Sequence, residues 1–217
     1  TTVIEGRKDW NYVRVDTDAG ITGYGEGHPG DGIVDLIQKR VKPLVIGEDP
    51  RDVEPLYTKM IDRTIGQSQA GSMLGAIAGV ETALWDIAGK ASDKPVCDLL
   101  GKPHKKRFRA YCSILFGDTP AETGDLARKF ADKGFTAIKF GWGPMGQDEQ
   151  NDIALVREAR KGAGENVDIL VDAGQVWDWK TALVRARQFQ EFNIFFLEEA
   201  LHPEDIDGYR RLTDESP

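Results

Sequence analysis

Three short runs of β-branched and apolar residues set the rhythm of this chain: residues 136–141 (Thr-Ala-Ile-Lys-Phe-Gly), 169–174 (Ile-Leu-Val-Asp-Ala-Gly) and 195–199 (Phe-Phe-Leu-Glu-Glu). Near-continuous apolar runs of this kind mark strands buried on both faces, as in parallel sheets. Each run ends in a charged residue, Lys139, Asp172 or Glu198, and amphipathic segments of crossover-helix length lie between them. The charged tips are 33 and 26 residues apart, close to the roughly 31 residues per unit of a (β/α)8 barrel of about 250 residues. The pattern predicts neighbouring staves of one barrel. Active sites of such barrels sit at the carboxyl ends of the strands, so Lys139, Asp172 and Glu198 are expected to converge there.

The remainder of the chain fills in around these runs. Two alternating runs flank Asp18-Ala19-Gly20 and predict a hairpin over residues 10–26. Ile33, Val34, Leu36, Ile37 and Val41 keep helical spacing, Asp49-Pro50 reads as the start of another helix, and residues 71–91 predict a third with Ile77, Val80, Leu84 and Ile87 as its apolar stripe. A short helical turn over 95–100 is stopped by Gly101 and Pro103. From Arg109 onward the pattern is βα: a strand over 109–115, a helix opened by the capping box Thr119-Pro-Ala-Glu122, the Lys139 strand, a helix over 148–161, the Asp172 strand, a helix over 179–191, the Glu198 strand, and a last helix from about Pro203. A boundary is therefore expected near residue 108, between an α+β region (1–108) and four βα units (109–217). Four strands do not close a barrel, and an open half-barrel exposes edges and a bare face, so the chain is expected to be part of a longer protein.

Composition adds exclusions. No apolar run approaches the ~20 residues of a membrane span, so no membrane partner is expected. The net charge of −8 argues against nucleic acid, and the basic run 104–107 reads as a solvated linker. Most of the negative charge, −7, falls in residues 109–217; the acidic excess is either a solvated helix surface or, in part, carboxylates gathered around a cation. The two cysteines, Cys97 and Cys112, have neither metal nor redox spacing, which favours a reducing cytoplasmic setting; both read as small apolar fillers.

Read residue by residue, the tips keep their ordinary alternatives. Asp172 is also a plausible turn aspartate before Gly174, Glu198 and Glu199 could open the following segment, and a lone Lys139 would reach solvent by default. Beside two carboxylates on neighbouring staves, Lys139 is better read as pointing inward, to polarise a substrate carboxylate or to serve in proton transfer. Trp142, Gln175 and Trp177 lie just past strand ends and either line a pocket or pack. His202 follows Glu199 within reach of the strand ends, and His28 reads as a surface turn residue.

Six motifs in order resemble the enolase superfamily, mandelate racemase subgroup: residues 23–27 (Gly-Tyr-Gly-Glu-Gly), 83–91 (Ala-Leu-Trp-Asp-Ile-Ala-Gly-Lys-Ala), 95–101 (Pro-Val-Cys-Asp-Leu-Leu-Gly), 134–139 (Gly-Phe-Thr-Ala-Ile-Lys), 171–174 (Val-Asp-Ala-Gly) and 197–199 (Leu-Glu-Glu). The resemblance implies an α/β fold, an N-terminal α+β capping domain over a modified (β/α)8 barrel. Residues 1–8 would then be the end of a mobile cap loop. It implies Mg²⁺ held by three carboxylates on successive strands. Asp172 matches the first and Glu198 the second. The third, and the usual His–Asp base on later strands, would lie beyond Pro217. Glu199 would then be a neighbour outside the metal's own shell. The family often carries Lys-x-Lys at the position of Lys139, whereas this chain has Gly141 as the second member. Residues i and i+2 of a strand share a face, so only one lysine serves this side of a substrate, with room left by Gly141 for a polyhydroxy chain. The resemblance thus implies Mg²⁺-dependent abstraction of a proton next to a carboxylate and, first, dehydration of a sugar acid to a 2-keto-3-deoxy acid by a hydro-lyase, with Lys139 as electrostatic partner of the substrate carboxylate. The alternatives are a racemase, epimerase or cycloisomerase of the same superfamily, or a non-catalytic member that kept the fold. A small carboxylate substrate and a homo-oligomer are expected partners.

Overall fold

The computed structural model describes residues 2–5, 10–101 and 105–217, and within them the chain divides into two compact units, Thr1–Lys106 and Arg107–Pro217. Pro103 and the His104 end of the basic run lie outside the described residues.

The first unit is built on an antiparallel sheet of β1 (Thr2–Glu5), β2 (Asn11–Asp16) and β3 (Thr22–Gly27), in that order. Residues 2–5 thus extend a sheet, where a cap loop was expected, because their backbones pair with residues 11–14. The 10–26 hairpin closes on Thr17, whose hydroxyl exchanges hydrogen bonds with the Ile21 backbone at 2.9 and 3.0 Å. α1 (Ile33–Leu36), a π-helical turn (Ile37–Val41) and α2 (Lys42–Val45) run on without a break. α3 (Val53–Arg63) begins three residues later than the Asp49-Pro50 signal suggested. The Asp49 carboxylate is taken by the Arg51 side chain and backbone N–H instead, so that segment forms a turn. α4 (Ser72–Ser92) buries Ile77, Val80, Leu84 and Ile87 completely, and α5 (Val96–Leu100) follows.

The glycines of residues 23–27 have a packing cause. In β3 they alternate with the exposed Tyr24 and Glu26, so Gly23, Gly25 and Gly27 all face α4. A Cβ on Gly25 would run into the carbonyl oxygen of Gly79, and one on Gly23 into that of Ala83. The helix backbone therefore lies directly on the strand, which only hydrogen at those positions permits. Gly25→Ala is expected to destabilise this unit by about 2–3 kcal/mol through overpacking, while Glu26→Ala one residue away stays within about 0.5 kcal/mol. Urea unfolding followed through hydrogen exchange of α4 amides measures both.

The second unit is a four-stranded parallel sheet, β4 (Cys112–Leu115), β5 (Ala137–Gly141), β6 (Asp168–Asp172) and β7 (Ile194–Glu198), in sequential order. Its crossovers are α6 (Pro120–Asp132), α7 (Glu149–Ala163) and α8 (Trp179–Phe189), with α9 (Ile206–Glu215) after β7. All four helices open on a side-chain cap: Thr119, Asp148, Asp178 and Asp205 each accept a backbone N–H three residues on. Each such cap is worth about 1 kcal/mol. The strand over 109–115 is shorter than its apolar pattern, because pairing with β5 starts at Cys112. Ile138, Phe140, Ile169 and Val171 are wholly buried in one core with Leu155, Val156, Ala159 and Phe189 of the helices. The alternate residues of the same strands, among them Lys139, Gly141 and Asp172, necessarily occupy the opposite face.

Candidate active site

The register of the parallel strands brings the charged tips level. Gly141 pairs with Asp172 and Asp172 with Glu198, while Lys139 lies two residues earlier on the same face as Gly141. A lysine side chain is long enough to cover that offset. The Lys139 Nζ stands 2.8 and 3.0 Å from the two Glu198 carboxylate oxygens and 3.4 Å from Asp172 Oδ2. The Lys139 and Asp172 side chains are only 12% and 11% exposed, Glu198 38%. The Glu198 hydrogen bond, helped by the Asp172 carboxylate, holds the Lys139 ammonium above its ordinary pKa in spite of partial burial. Lys139 is therefore a cation here, a charge donor and not a free amine. The Tyr111 ring lies under it, 5.8 Å from Nζ to the ring centre, close enough for a cation–π contact. Asp172 is fixed from its other oxygen as well, Oδ1 accepting the Gly174 N–H at 3.1 Å.

Beyond the strand ends, three non-glycine residues have left-handed backbones: Trp142 (φ 55°), Gln175 (φ 66°) and Glu199 (φ 35°). Such conformations cost on the order of 1–3 kcal/mol each and persist where the surroundings over-determine them. Here the three residues hold one another. Trp142 Nε1 donates to Glu199 Oε1 at 3.1 Å, Gln175 Nε2 to Glu199 Oε2 at 3.3 Å, and the Gln175 N–H to the Glu199 carbonyl at 2.6 Å. Glu199 thus turns away from Glu198 and ties three loops together.

Their supports lie deeper. Asp152, fully buried on α7, accepts the Gly146 N–H at 2.7 Å and Arg185 Nε at 2.9 Å, which anchors the loop after β5. The Tyr209 hydroxyl donates to the Leu201 carbonyl at 2.6 Å and accepts its N–H at 3.2 Å, anchoring the loop after β7.

Other sequence candidates are placed elsewhere. Trp177 is buried against Phe189 and belongs to the core. His202 is exposed and its Nδ1 accepts the Glu204 N–H at 3.3 Å, so it caps a local turn and does not join the cluster. Cys112 is buried, but Cys97 is exposed, contrary to its expected role as a filler, because α5 buries none of its residues. Gly141 does not simply leave free room: a Cβ there would sit 3.1 Å from Asp172 Cβ and 3.3 Å from its Cγ, so the aspartate already occupies that side. The open space is a cavity of about 340 Å³ lined by Ser113, Ile114, Leu115, Lys139, Gly141, Trp142 and Asp172.

With this geometry in hand, the likeness to known proteins falls into place. Residues 2–101 match the mandelate racemase / muconate lactonizing enzyme N-terminal domain, and residues 122–217 the enolase C-terminal domain-like family. The chain belongs to the mandelate racemase / muconate lactonizing enzyme family of the enolase superfamily. It is 30% identical to a D-xylonate dehydratase of Haloferax volcanii over 98% of this chain and 56% of that protein. It is 34% identical to an arabinonate dehydratase of Saccharolobus solfataricus over 94% and 55%. The crystal structure of the 3,6-anhydro-D-galactonate cycloisomerase from Zobellia galactanivorans superposes with a TM-score of 0.88 at 28% identity, covering 95% of this chain and 57% of that one. The chain therefore spans little more than half the length of these relatives. Among the described residues, no helix is long and apolar enough to cross a membrane.

Dependence on Mg²⁺ is general in this family. The donors present suit that ion as far as they go, since two carboxylates converge on one cationic centre, the Lys139 ammonium, and both offer hard oxygen. No third His, Cys, Asp or Glu completes a metal-binding group among the described residues.

Lys139→Met removes the cation and leaves Asp172 and Glu198 facing each other. In metal-free protein this is expected to cost about 1–2 kcal/mol, below the range for a fully buried pair because Glu198 is partly solvated. The pKa of Lys139 is raised above its ordinary 10.5 in the fold, so its contribution is fully present below that value and is lost as pH rises through the raised pKa. Urea midpoints of variant and wild type are therefore expected to differ by a constant amount at neutral pH and to converge only in strong alkali.

Proposed function

We propose that the protein containing this chain abstracts the proton next to the carboxylate of a sugar acid and eliminates the neighbouring hydroxyl as water, giving a 2-keto-3-deoxy acid. The observation that carries this reading is the Lys139 ammonium held beside Asp172 and Glu198 at the carboxyl ends of adjacent parallel strands. The named dehydratases among its relatives support the choice of sugar acid.

In this reading Asp172 and Glu198 would hold Mg²⁺, which when bound would supply Lewis-acid stabilisation of charge developing on the substrate carboxylate. Lys139 adds a second positive charge from a partly dry site, where a fixed ammonium is worth more than in water. Lys139 acts as the electrostatic partner of the substrate carboxylate, and the proton at C2 is taken by a group on the other side of the substrate. The C2–H and C3–O bonds break, the C3 hydroxyl leaves with a proton as water, and the resulting enol takes up a proton at C3 while its C2 hydroxyl gives one up, leaving the ketone. Gly141 supports elimination over racemisation, because no second lysine stands on this face to return a proton. The likeness to a 3,6-anhydro-D-galactonate cycloisomerase keeps cycloisomerisation of a sugar acid as the second reading.

The full-length protein is expected to form 2-keto acid, read as semicarbazone absorbance, from one or more members of a sugar-acid library. EDTA should abolish this, and Asp172→Asn should abolish both Mg²⁺ binding and turnover. α-Deuterium exchange with inversion and no keto acid from any substrate would overturn the dehydratase reading. Full activity in EDTA would overturn the metal assignment.

A further inference from the structure

We propose that Trp142 is the specificity-determining wall of this site, a fixed indole face against which the hydroxylated chain of the acid packs; this rests on the sugar-acid reading above. Trp142 lines the same cavity of about 340 Å³ as Lys139 and Asp172, so a molecule whose carboxylate is drawn to that charged end has its tail beside the indole. The side chain remains 56% exposed, although its one polar atom, Nε1, is already satisfied by Glu199. What it shows to the cavity is therefore ring surface. An aromatic ring is electron-rich on its face, and the C–H bonds of carbons bearing hydroxyls are polarised toward positive hydrogen. Such a chain presents C–H groups to the ring and hydroxyls to water, which a purely aliphatic wall does not distinguish.

Three constraints immobilise the indole. Its own backbone is left-handed, at φ 55°, in a region bulky residues avoid. The Glu199 carboxylate that receives its N–H is held from the other side by Gln175. Beneath it lies Gly174, where a Cβ would come within 2.7 Å of Trp142 Cδ1, so the missing side chain at 174 is what admits the ring. A wall fixed before binding loses little freedom when a ligand packs on it, and it discriminates by shape. Gly174 and Trp142 act as one unit: the glycine makes the space and the tryptophan fills it. Glu199, which is turned away from the cation site, is on this view a positioning residue for Trp142.

The test is steady-state kinetics of the full-length protein and its variants on four-, five- and six-carbon aldonates, with Mn²⁺ affinity by electron paramagnetic resonance alongside. Trp142→Ala is expected to raise KM for the preferred aldonate about tenfold and to flatten the preference among chain lengths by a similar factor, with kcat and Mn²⁺ affinity changed less than about threefold. Trp142→Phe, which keeps a ring and loses the N–H, is expected to retain most of the selectivity, whereas Trp142→Leu, an aliphatic wall, is expected to lose it and carries the test should the alanine variant fail to fold. Glu199→Ala should reproduce part of the loss. Glu199→Gln should restore it, since its carbonyl can accept the indole N–H while Gln175 turns its own carbonyl toward the new amide. Unchanged chain-length preference in the alanine or leucine variant of Trp142, or an Mn²⁺ affinity that falls in parallel with selectivity, would overturn the assignment of Trp142 while leaving the dehydratase reading intact. A wild type that forms no 2-keto acid from any sugar acid would overturn that reading, and this inference with it.

Discussion

Everything at the site depends on register. In a parallel sheet a slip of one residue moves a strand's whole side-chain set to the other face. Here Gly141, Asp172 and Glu198 are cross-strand partners in one row. That row sets two carboxylates side by side at one end of the sheet, a pairing of like charges that is unfavourable by itself. The Lys139 ammonium, reaching up from the row below, makes it tenable. The apolar residues on the opposite face lock the row in place, since Ile138, Phe140, Ile169 and Val171 cannot leave the helix-covered core without exposing it.

A charged row is useful only if the loops above it stay put, and the polar groups that hold them are either deeply buried or tied to one another. Asp152 and Arg185 sit inside the helical layer and reach the loop after β5 through Gly146. Tyr209 holds the loop after β7 through both backbone groups of Leu201. Glu199 links the loops after β5, β6 and β7 above them. No buried side-chain polar atom is left without a partner among the described residues, as expected for a site whose geometry is set before any ligand arrives.

The strands, their order and their charged tips were legible in sequence because they follow from periodicity and spacing, and so was the cap at Thr119, which is a local signal. The support of the site was not. Asp152 and Arg185 carry no mark of burial in the sequence, because nothing in a one-dimensional pattern says that two helices press them together. Tyr111 sits one residue ahead of β4 and gave no sign of lying under Lys139. The clasp of Trp142, Gln175 and Glu199 depends on three positive φ angles in non-glycine residues, which sequence does not announce. The start of α3 was misplaced because Arg51 competes for the Asp49 carboxylate, and Gly141 was read as open room because the position of Asp172 beside it is a property of the sheet.

The account stands on Asp172 and Glu198 acting together on one cation beside Lys139. The most direct measurement is anomalous diffraction from crystals of the full-length protein grown with Mn²⁺. The account predicts one strong peak about 2.1 Å from carboxylate oxygens of both Asp172 and Glu198, with the Lys139 ammonium moved aside but still on the same face. A peak bonded to neither residue, or Asp172 and Glu198 directed to opposite ends of the sheet, would contradict it.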